Sequence, residues 1–256
     1  MSSEESNLTN SFLKKACNAR IMVVLPAYNE EGKIGRVVSG IKQDVEPGLI
    51  DIVMVIDDGS TDKTVEDAKA AGAHVISKPK NAGIGAAIRT GIDYALDHKF
   101  DIVIVMAGDD QDLPVEIPKV LAPIVSKGYD FVQGSRRLYG KRVINMPNFR
   151  RFTTKMYSVV FNFLVETKVT DGTNGFRAFK LDILKDKRIN LWQDWLDTYE
   201  LEPYLFYQTI KCGFKVTEVP VTKRYHKFEA YTKMVPFRDW WRITRPIIFL
   251  RFGIKK

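Results

Sequence analysis

The residues best able to do chemistry follow a short apolar run near the middle of the chain. Residues 103–105 are β-branched and suit a strand that is buried on both faces, and the run then stops in Ala107-Gly108-Asp109-Asp110-Gln111-Asp112. Carboxylates at the end of such a strand lie where open α/β sheets bind ligands, and hard oxygen ligands suit Mg²⁺ or Mn²⁺ together with phosphates. We therefore predict a metal and diphosphate site. The alternative is an acidic surface loop in which Asp112 caps the next helix.

Two other apolar runs also end in polar residues. Residues 21–25 lead into Pro26-Ala27-Tyr28-Asn29-Glu30-Glu31, and residues 52–56 lead into Asp57-Asp58-Gly59-Ser60-Thr61-Asp62. Because parallel strands end at the same edge of a sheet, we expect these loops to converge with the central one. The Asp57-Asp58 pair is placed to hold a nucleoside through its base or ribose. Lys80 and Arg89 are candidate contacts to the nucleotide, although solvated charges beside a helix would look the same.

Strands and helices alternate along the first half of the chain. Apolar residues recur at helical spacing after each of the first runs, as in Ile34, Val37, Val38 and Ile41. Alternating units of this length imply a mostly parallel sheet with helices on both faces. The later predictions are a helix over 114–126, a strand over 131–134, a helix over 199–212 and an edge strand over 216–220 that contains Pro220.

Composition limits the classes of protein to which the chain can belong. Its 256 residues suit one large α/β domain, and 45% hydrophobic with 27% charged residues does not indicate disorder. Cys17 and Cys212 are far apart and form no metal-type pair, which favours a reduced, cytoplasmic setting. The polar start lacks the apolar core of a signal peptide, and we find no bilayer-spanning run. The net charge of +8 favours anionic partners, namely phosphates, anionic lipid or nucleic acid.

Two segments combine an apolar face with basic residues. Residues 146–168 carry Arg150 and Arg151 ahead of a wide apolar face, and the tail alternates bulky apolar and basic residues from Trp240 to Arg251. Each segment suits either a helix that packs on its own domain or a helix that lies in the plane of a membrane surface. We divide the chain into a flexible N-terminal segment (1–18), a main domain (19–230) and a C-terminal amphipathic segment (231–256).

Taken together, the motifs resemble the family 2 glycosyltransferases of the GT-A fold, and within them the dolichyl-phosphate mannose synthase and polyprenyl-phosphate glycosyltransferase group. The resemblance extends over nearly the whole chain from Ile21. It rests on the order and spacing of the loops above and of four further motifs: Lys80-Asn81-Ala82-Gly83-Ile84-Gly85, Gly134-Ser135-Arg136, Asp171-Gly172-Thr173-Asn174-Gly175-Phe176-Arg177 and Glu218-Val219-Pro220.

The resemblance implies a set of donor-site residues. A sugar nucleotide would be held by Pro26, Tyr28, Glu30 and Asp58, and the metal-binding Asp-x-Asp motif falls on residues 107–109. The first aspartate of that motif is replaced here by Ala107. Asp109 and Gln111 match the remaining ligands of Mg²⁺ or Mn²⁺, so we expect the metal site to persist with help from Asp110, Asp112 or water.

The resemblance also implies where the acceptor phosphate and the donor diphosphate bind. A lipid phosphate would be received by Arg136, Arg150 and Thr154, and Arg224 and Lys233 are the nearest matches to the basic residues that close over the diphosphate. A phosphate acceptor is already an anion, so its attack needs no general base. We expect Asp109 to hold the metal, and Arg136 and Arg150 to position the acceptor.

The function implied is inverting, metal-dependent transfer of mannose or glucose from GDP-mannose, UDP-glucose or a relative to a polyprenyl or dolichyl phosphate, by an enzyme bound peripherally to the cytoplasmic face of a membrane. One alternative is transfer to a sugar hydroxyl, with Asp110, Asp112 or Asp171 as general base. A second is a non-catalytic nucleotide-binding subunit, suggested by Ala107. We expect no nucleic-acid partner, because the chain has no helix-turn-helix or aromatic RNA platform.

Overall fold

A computed structural model describes residues 18–139, 143–225 and 233–255. The predicted flexible segment 1–18 lies outside the described residues, apart from Asn18, and so do residues 226–232, which contain the predicted boundary between main domain and tail. The boundaries predicted for the main domain and the tail therefore stay predictions.

The described residues contain nine strands, which form two sheets. They are β1 (Ile21–Ala27), β2 (Ile52–Asp57), β3 (His74–Ser77), β4 (Ile102–Val105), β5 (Phe131–Ser135), β6 (Val143–Ile144), β7 (Arg177–Lys180), β8 (Val216–Pro220) and β9 (Lys223–Arg224). The main sheet has the order β3-β2-β1-β4-β7-β5-β8, and β6 pairs with β9 in a small parallel sheet. The edge position predicted for residues 216–220 is confirmed, since β8 is the last strand of the main sheet.

In the part of the chain that the structure describes, seven α-helices connect and cover the strands. They are α1 (Ile34–Asp44), α2 (Thr64–Ala70), α3 (Ile84–Asp97), α4 (Ile117–Lys127), α5 (Asn148–Val165), α6 (Leu201–Lys211) and α7 (Arg238–Arg251), with short 3₁₀ turns at Pro114–Glu116, Leu181–Lys185 and Asp194–Leu196. The mostly parallel α/β sheet flanked by helices is confirmed. Helix α1 illustrates why these segments cover the sheet as helices. One face of it is apolar and buried against the sheet, and it consists of Ile34, Val37, Val38 and Ile41.

The continuous apolar runs reflect a sheet that is buried on both sides. Along β1, Met22 and Val24 belong to one core cluster, while Ile21, Val23 and Leu25 belong to the cluster on the other face. All five side chains are completely buried. Side chains of a strand alternate between faces, so a strand between two helical layers needs apolar residues at every position.

Strand β7 runs against its neighbours, which the sequence analysis did not predict. It pairs antiparallel with both β4 and β5, and Arg177 lies opposite Val105 on one side and Gln133 on the other. An antiparallel strand begins at the edge where its parallel neighbours end. The polar residues that precede β7 are therefore delivered to the same edge as the acidic loop after β4.

The C-terminal helix packs on its own domain. Helix α7 lies against α5 and α6, with Ile247 fully buried. The carboxylate of Glu200 is also buried, and it pairs with Arg245 at 2.5 Å and with Arg242 at 3.8 Å. Of the two interpretations given for the tail, the structure shows packing on the domain. Within the described ranges, every helix is too short or too polar to cross a membrane.

Candidate active site

The loops after β1 and β2 meet, as predicted, and bond directly to each other. The N–H of Asn29 donates to Ser60 Oγ at 2.9 Å, and the N–H of Thr61 donates back to Asn29 Oδ1 at the same distance. The N–H of Glu30 donates to Thr64 Oγ1 at 2.7 Å. These reciprocal bonds fix the shape of the loop that carries Tyr28 and Glu30.

Asp58 organises the next loop of the donor side. Its carboxylate is buried and accepts the N–H groups of Ala82 at 3.0 Å and Gly83 at 2.7 Å, and it pairs with Lys78 at 3.2 Å. Gly59, with φ of +77°, lets the loop approach closely, since a Cβ there would lie 2.6 Å from the carbonyl carbon of Lys80. Asp58 thus shapes the pocket by holding its backbone, and its contact with a nucleoside stays a prediction.

The two basic residues proposed as nucleotide contacts have different surroundings. Lys80 is exposed beside the donor loops. Arg89 is turned toward residues 191–197, where it donates to the carbonyl oxygen of Leu191 at 3.0 Å and pairs with Asp197. The predicted contact of Arg89 with the nucleotide stays a prediction. The Arg89 guanidinium ties α3 to a segment about a hundred residues later in the chain.

The loop after β4 fits tightly against β1, and its three carboxylates differ in how far they are buried. A Cβ on Gly108 would lie 2.9 Å from Ile34 Cδ1 and 3.1 Å from the carbonyl oxygen of Pro26, so a larger residue there would press against both neighbours. Asp109 Oδ1 accepts the N–H of Gln111 at 3.1 Å, which sets the turn. Asp110, with φ of 60°, pairs with Arg36 at 2.8 Å. The predicted ligands Asp109 and Gln111 are thus neighbours on one tight turn.

Asp112 is not a surface helix cap. It is fully buried, and its Oδ2 accepts from Lys223 Nζ at 2.9 Å and lies 3.4 Å from the N–H of Ala107. The first turn after it begins at Pro114 with Leu113 at the N-cap position. The alternative of an acidic surface loop is therefore wrong, because this carboxylate is an internal ionic contact.

Among the residues predicted to bind the acceptor phosphate, Arg136 forms a buried ion pair with Asp171. Its Nε and Nη2 donate to the two oxygens of Asp171 at 2.6 and 2.7 Å, and its own N–H donates to Asp171 as well. Although burial opposes it, Arg136 holds the pKa of Asp171 below its usual value. Glu218 fixes the same turn by accepting the N–H groups of Thr170 at 2.7 Å and Asp171 at 2.9 Å.

The remaining cationic side chains of the acceptor side gather around Thr154 and Tyr225. Arg137, which the sequence analysis did not select, donates from Nη2 to Thr154 Oγ1 at 2.7 Å. The Arg150 guanidinium lies over the Tyr225 ring, 5.2 Å from its centroid, and the Tyr225 hydroxyl accepts from Arg136 Nη1 at 3.2 Å. The structure thus brings Arg136, Arg150 and Thr154 together, with Arg137 and Tyr225 added.

Arg224 and Lys233, predicted to close over the diphosphate, differ in placement. Along β9, Lys223 is buried and Arg224 is exposed, and Tyr225 after the strand is buried again. Lys223 therefore takes the inward place, and the Arg224 side chain lies in solvent, so its contact with a diphosphate stays a prediction. Lys233 contacts the first donor loop, where its Nζ donates to the carbonyl oxygen of Asn29 at 2.9 Å and pairs with Glu30.

Comparison with known proteins identifies the family. The model of glycosyl transferase family 2 matches residues 22–187. The chain belongs to this family. It is 31% identical to a dolichyl-phosphate hexose transferase of Haloferax volcanii over 89% of this chain and 92% of the relative. It is also 31% identical to a polyprenol monophosphomannose synthase of Mycolicibacterium smegmatis, over 79% of this chain and 77% of the relative.

A solved structure shows the same fold in a more distant glycosyltransferase. The glucosyl-3-phosphoglycerate synthase of Mycobacterium tuberculosis, crystallised with Mn²⁺, UDP and phosphoglyceric acid, superposes with a TM-score of 0.72 at 23% identity. The match covers 96% of this chain and 83% of that one. The GT-A architecture is confirmed, and this family 2 glycosyltransferase is an enzyme rather than a non-catalytic subunit.

Three residues of the site escaped the sequence analysis. The motif match fell on Arg136, and the sequence does not distinguish it from the adjacent Arg137. The structure shows that Arg136 is buried and that Arg137 is half-buried. Lys223 and Tyr225 flank the motif match at Arg224. The alternation of faces along an extended segment could have indicated that 223 and 225 share a side, but a two-residue strand gives no periodic signal.

Proposed function

We propose that this glycosyltransferase moves mannose or glucose from a nucleotide sugar, such as GDP-mannose or UDP-glucose, to a polyprenyl phosphate of the dolichyl type. The observation that carries the proposal is the cationic cluster beside the acidic loops, in which Arg137 bonds Thr154 and Arg150 lies over Tyr225. The names of the Haloferax and Mycolicibacterium relatives support the same class of acceptor.

The cluster has the chemistry that a phosphate monoester needs. Guanidinium groups present forked donors that match phosphate oxygens, and Thr154 adds a hydroxyl one turn after Arg150. Partial burial and the neighbouring charges of Arg136 and Arg151 lower the pKa of Arg137. A bound anion would relieve this crowding of positive charge, which favours an acceptor that carries a phosphate.

Asp109 and Gln111 are the residues that would hold a divalent cation, Mg²⁺ or Mn²⁺. In the described ranges, no three His, Cys, Asp or Glu side chains converge to form a metal cage. One carboxylate and one amide oxygen still fit Mg²⁺, which is commonly bound by one or two carboxylates together with substrate phosphates. The Mn²⁺ and UDP in the related crystal structure support this choice. When bound, the cation would neutralise charge that builds on the leaving diphosphate.

The chain's own residues then position an in-line exchange. The bond from the sugar C1 to the diphosphate breaks and its electron pair leaves with the diphosphate, while an oxygen of the acceptor phosphate forms a new bond on the opposite face of C1. The configuration at C1 is therefore inverted. Arg137, Arg150 and Thr154 orient the acceptor phosphate. No proton has to be removed from it, because the phosphate is already an anion.

The state of the remaining aspartates supports phosphate over a sugar hydroxyl as acceptor. A hydroxyl would require a general base within hydrogen-bond reach. Asp171 is enclosed by Arg136, Asp112 is enclosed with Lys223, and Asp110 is paired with Arg36. Each candidate base named from the sequence is thus engaged by a cation, which disfavours proton removal by any of them.

Helix α5 offers a surface suited to the membrane that holds such an acceptor. Six apolar side chains on one stripe of this helix are between 38% and 81% exposed: Phe149, Phe152, Met156, Val159, Val160 and Phe163. Exposed Arg151 and Lys155 flank the stripe. An apolar stripe with basic flanks lies favourably in the interface of an anionic membrane. We place the enzyme peripherally, on the cytoplasmic face.

The test is a panel of nucleotide sugars offered with polyprenyl phosphate and, separately, with free glycan acceptors. We expect a polyprenyl-phosphate hexose with inverted configuration from one donor. Arg137→Met should raise the KM for polyprenyl phosphate by about 10-fold or more while leaving the Kd of the donor within twofold. Arg188→Met, which breaks an exposed pair with Asp186, is the matched control. Transfer only to glycan hydroxyls would contradict the proposal.

A further inference from the structure

The small sheet brings a lysine under the acidic loop. Strand β9 runs beside the loop, since the N–H of Arg224 donates to the carbonyl oxygen of Gln111 at 2.8 Å and Lys223 bridges to Asp112 in antiparallel register. Lys223 points inward from this strand, and only 9% of its side chain is exposed. A long, well-solvated side chain is rarely enclosed in this way without an ionic partner.

The ammonium group of Lys223 is held among carboxylates. Its Nζ lies 2.9 Å from Asp112 Oδ2, and the other oxygen of Asp112 is buried without a hydrogen-bond partner. Lys223 and Asp112 thus form an enclosed ion pair at the loop that carries the predicted metal ligand Asp109.

The acidic loop beside Lys223 has alanine at position 107, where the family motif has an aspartate. Ala107 supplies no side-chain oxygen, and its N–H instead faces the carboxylate that Lys223 holds, at 3.4 Å. The carboxylates of Asp109 and Asp112 thus face one built-in positive charge. Lys223 therefore places its positive charge beside the loop that carries Asp109.

We propose that Lys223 is a resident cation of the donor diphosphate site, which holds the 107–112 loop through Asp112 and takes part of the diphosphate's negative charge. The proposal rests on the proposed function, because it takes the diphosphate to bind beside Asp109. During transfer the electron pair of the broken C1–O bond passes to the diphosphate, and the ammonium stabilises this added charge without giving up a proton. A nucleoside diphosphate should therefore bind even when no divalent ion is present.

Calorimetric titration of the wild-type chain with GDP and UDP in EDTA tests this directly. We expect one of the diphosphates to bind in EDTA at least 10-fold more tightly than its nucleoside, guanosine or uridine, and Mn²⁺ to strengthen that binding further. If the diphosphate binds with Mn²⁺ but no better than its nucleoside in EDTA, the resident cation is wrong and the proposed function stands. If neither diphosphate binds under either condition, the proposed function itself fails.

Variants of Lys223 test whether its side chain causes the binding of the diphosphate in EDTA. Lys223→Met should weaken diphosphate binding in EDTA at least 10-fold, should leave nucleoside binding within twofold, and should enlarge the gain in affinity that Mn²⁺ provides. The double variant Asp112→Asn/Lys223→Met removes both buried charges and should still bind the diphosphate in EDTA more weakly than the wild type, with a restored melting temperature. Lys180→Met is the control, since Lys180 pairs with Asp130 at 3.0 Å at the opposite edge of the sheet. Unchanged diphosphate affinity in the folded double variant would overturn the proposal.

Discussion

Replacing Asp171 with asparagine should destabilise the fold rather than remove a catalytic base. The Asp171 carboxylate is completely buried and takes three hydrogen bonds from Arg136, whose own side chain is only 5% exposed. Asp171→Asn leaves that guanidinium buried without its counter-charge. Neither group can regain water without opening the turn that Glu218 also holds.

The expected size of the effect follows from this burial. Removing one partner of a buried ion pair costs about 3–5 kcal/mol in the free energy of unfolding. For a chain of this length, each kcal/mol lowers Tm by about 2 °C, so Asp171→Asn should lower Tm by about 6–10 °C. Replacing both partners, as in Arg136→Met/Asp171→Leu, should recover most of this loss, because no unpaired charge is then buried.

Thermal unfolding followed by far-UV circular dichroism provides the measurement. Asp186→Asn is the control, since Asp186 forms a similarly short pair with Arg188, at 2.6 Å, on the surface. Its Tm should change by less than about 2 °C. A Tm for Asp171→Asn that stays within 2 °C of the wild type, together with a lost turnover, would refute the structural role and revive Asp171 as a general base.

The pH dependence gives an independent check. Because Arg136 keeps the pKa of Asp171 below its ordinary 3.8, the pair contributes its full stability above that value. The contribution is lost as pH falls further, through the folded-state pKa. The Tm difference between the wild type and Asp171→Asn should therefore be constant from pH 8 to pH 5 and shrink below about pH 4. A difference that grows on acidification would contradict this sign.

Three further outcomes are expected. Asp109→Ala should reduce nucleotide release from the donor by about 100-fold or more with little change in Tm, and turnover unchanged at the Mn²⁺ concentration that half-saturates the wild type would count against its role as a ligand. Gly59→Ala should weaken nucleotide binding and lower stability by more than Gly128→Ala, measured by calorimetry and chemical denaturation, because both have positive φ but only Gly59 packs against backbone, that of Lys80. Phe163→Glu on the exposed stripe of α5 should reduce co-sedimentation with anionic vesicles, and salt should release the wild type; binding that only detergent reverses would contradict a peripheral contact.

The parts of the fold that the sequence predicts are those with local causes. The apolar runs of β1, β2 and β4 and the buried face of α1 follow from periodicity, and the meeting of their loops follows from parallel pairing. The order of the remaining strands does not follow, because β7 has only four residues and its antiparallel insertion depends on contacts between distant segments. Tertiary pairing decides such cases, and a short strand carries little signal of it.

In the site, too, the sequence indicates which residue types are present but not the partners with which they pair. Motif matching located Asp109 and the arginine group, but it could not show that Arg89 would pair with Asp197, 108 residues later. It also assigned Arg224 where the inward residue is Lys223, since the side that a residue faces depends on a strand only two residues long. Charge partners far apart in sequence are invisible until the chain is folded.

The reversed direction of β7 has a consequence for how the enzyme can change its specificity. Asp58 and the loops after β1 and β2 lie early in the chain, before β5. Arg137 and Thr154 lie between β5 and β7, and Tyr225 follows β9. If the predicted site residues act as proposed, selection of the sugar donor and selection of the acceptor depend on separate stretches of the chain. Exchanging residues 131–165 between relatives, which leaves Lys223 and Lys233 in place, should therefore change the choice of acceptor while leaving donor binding unchanged.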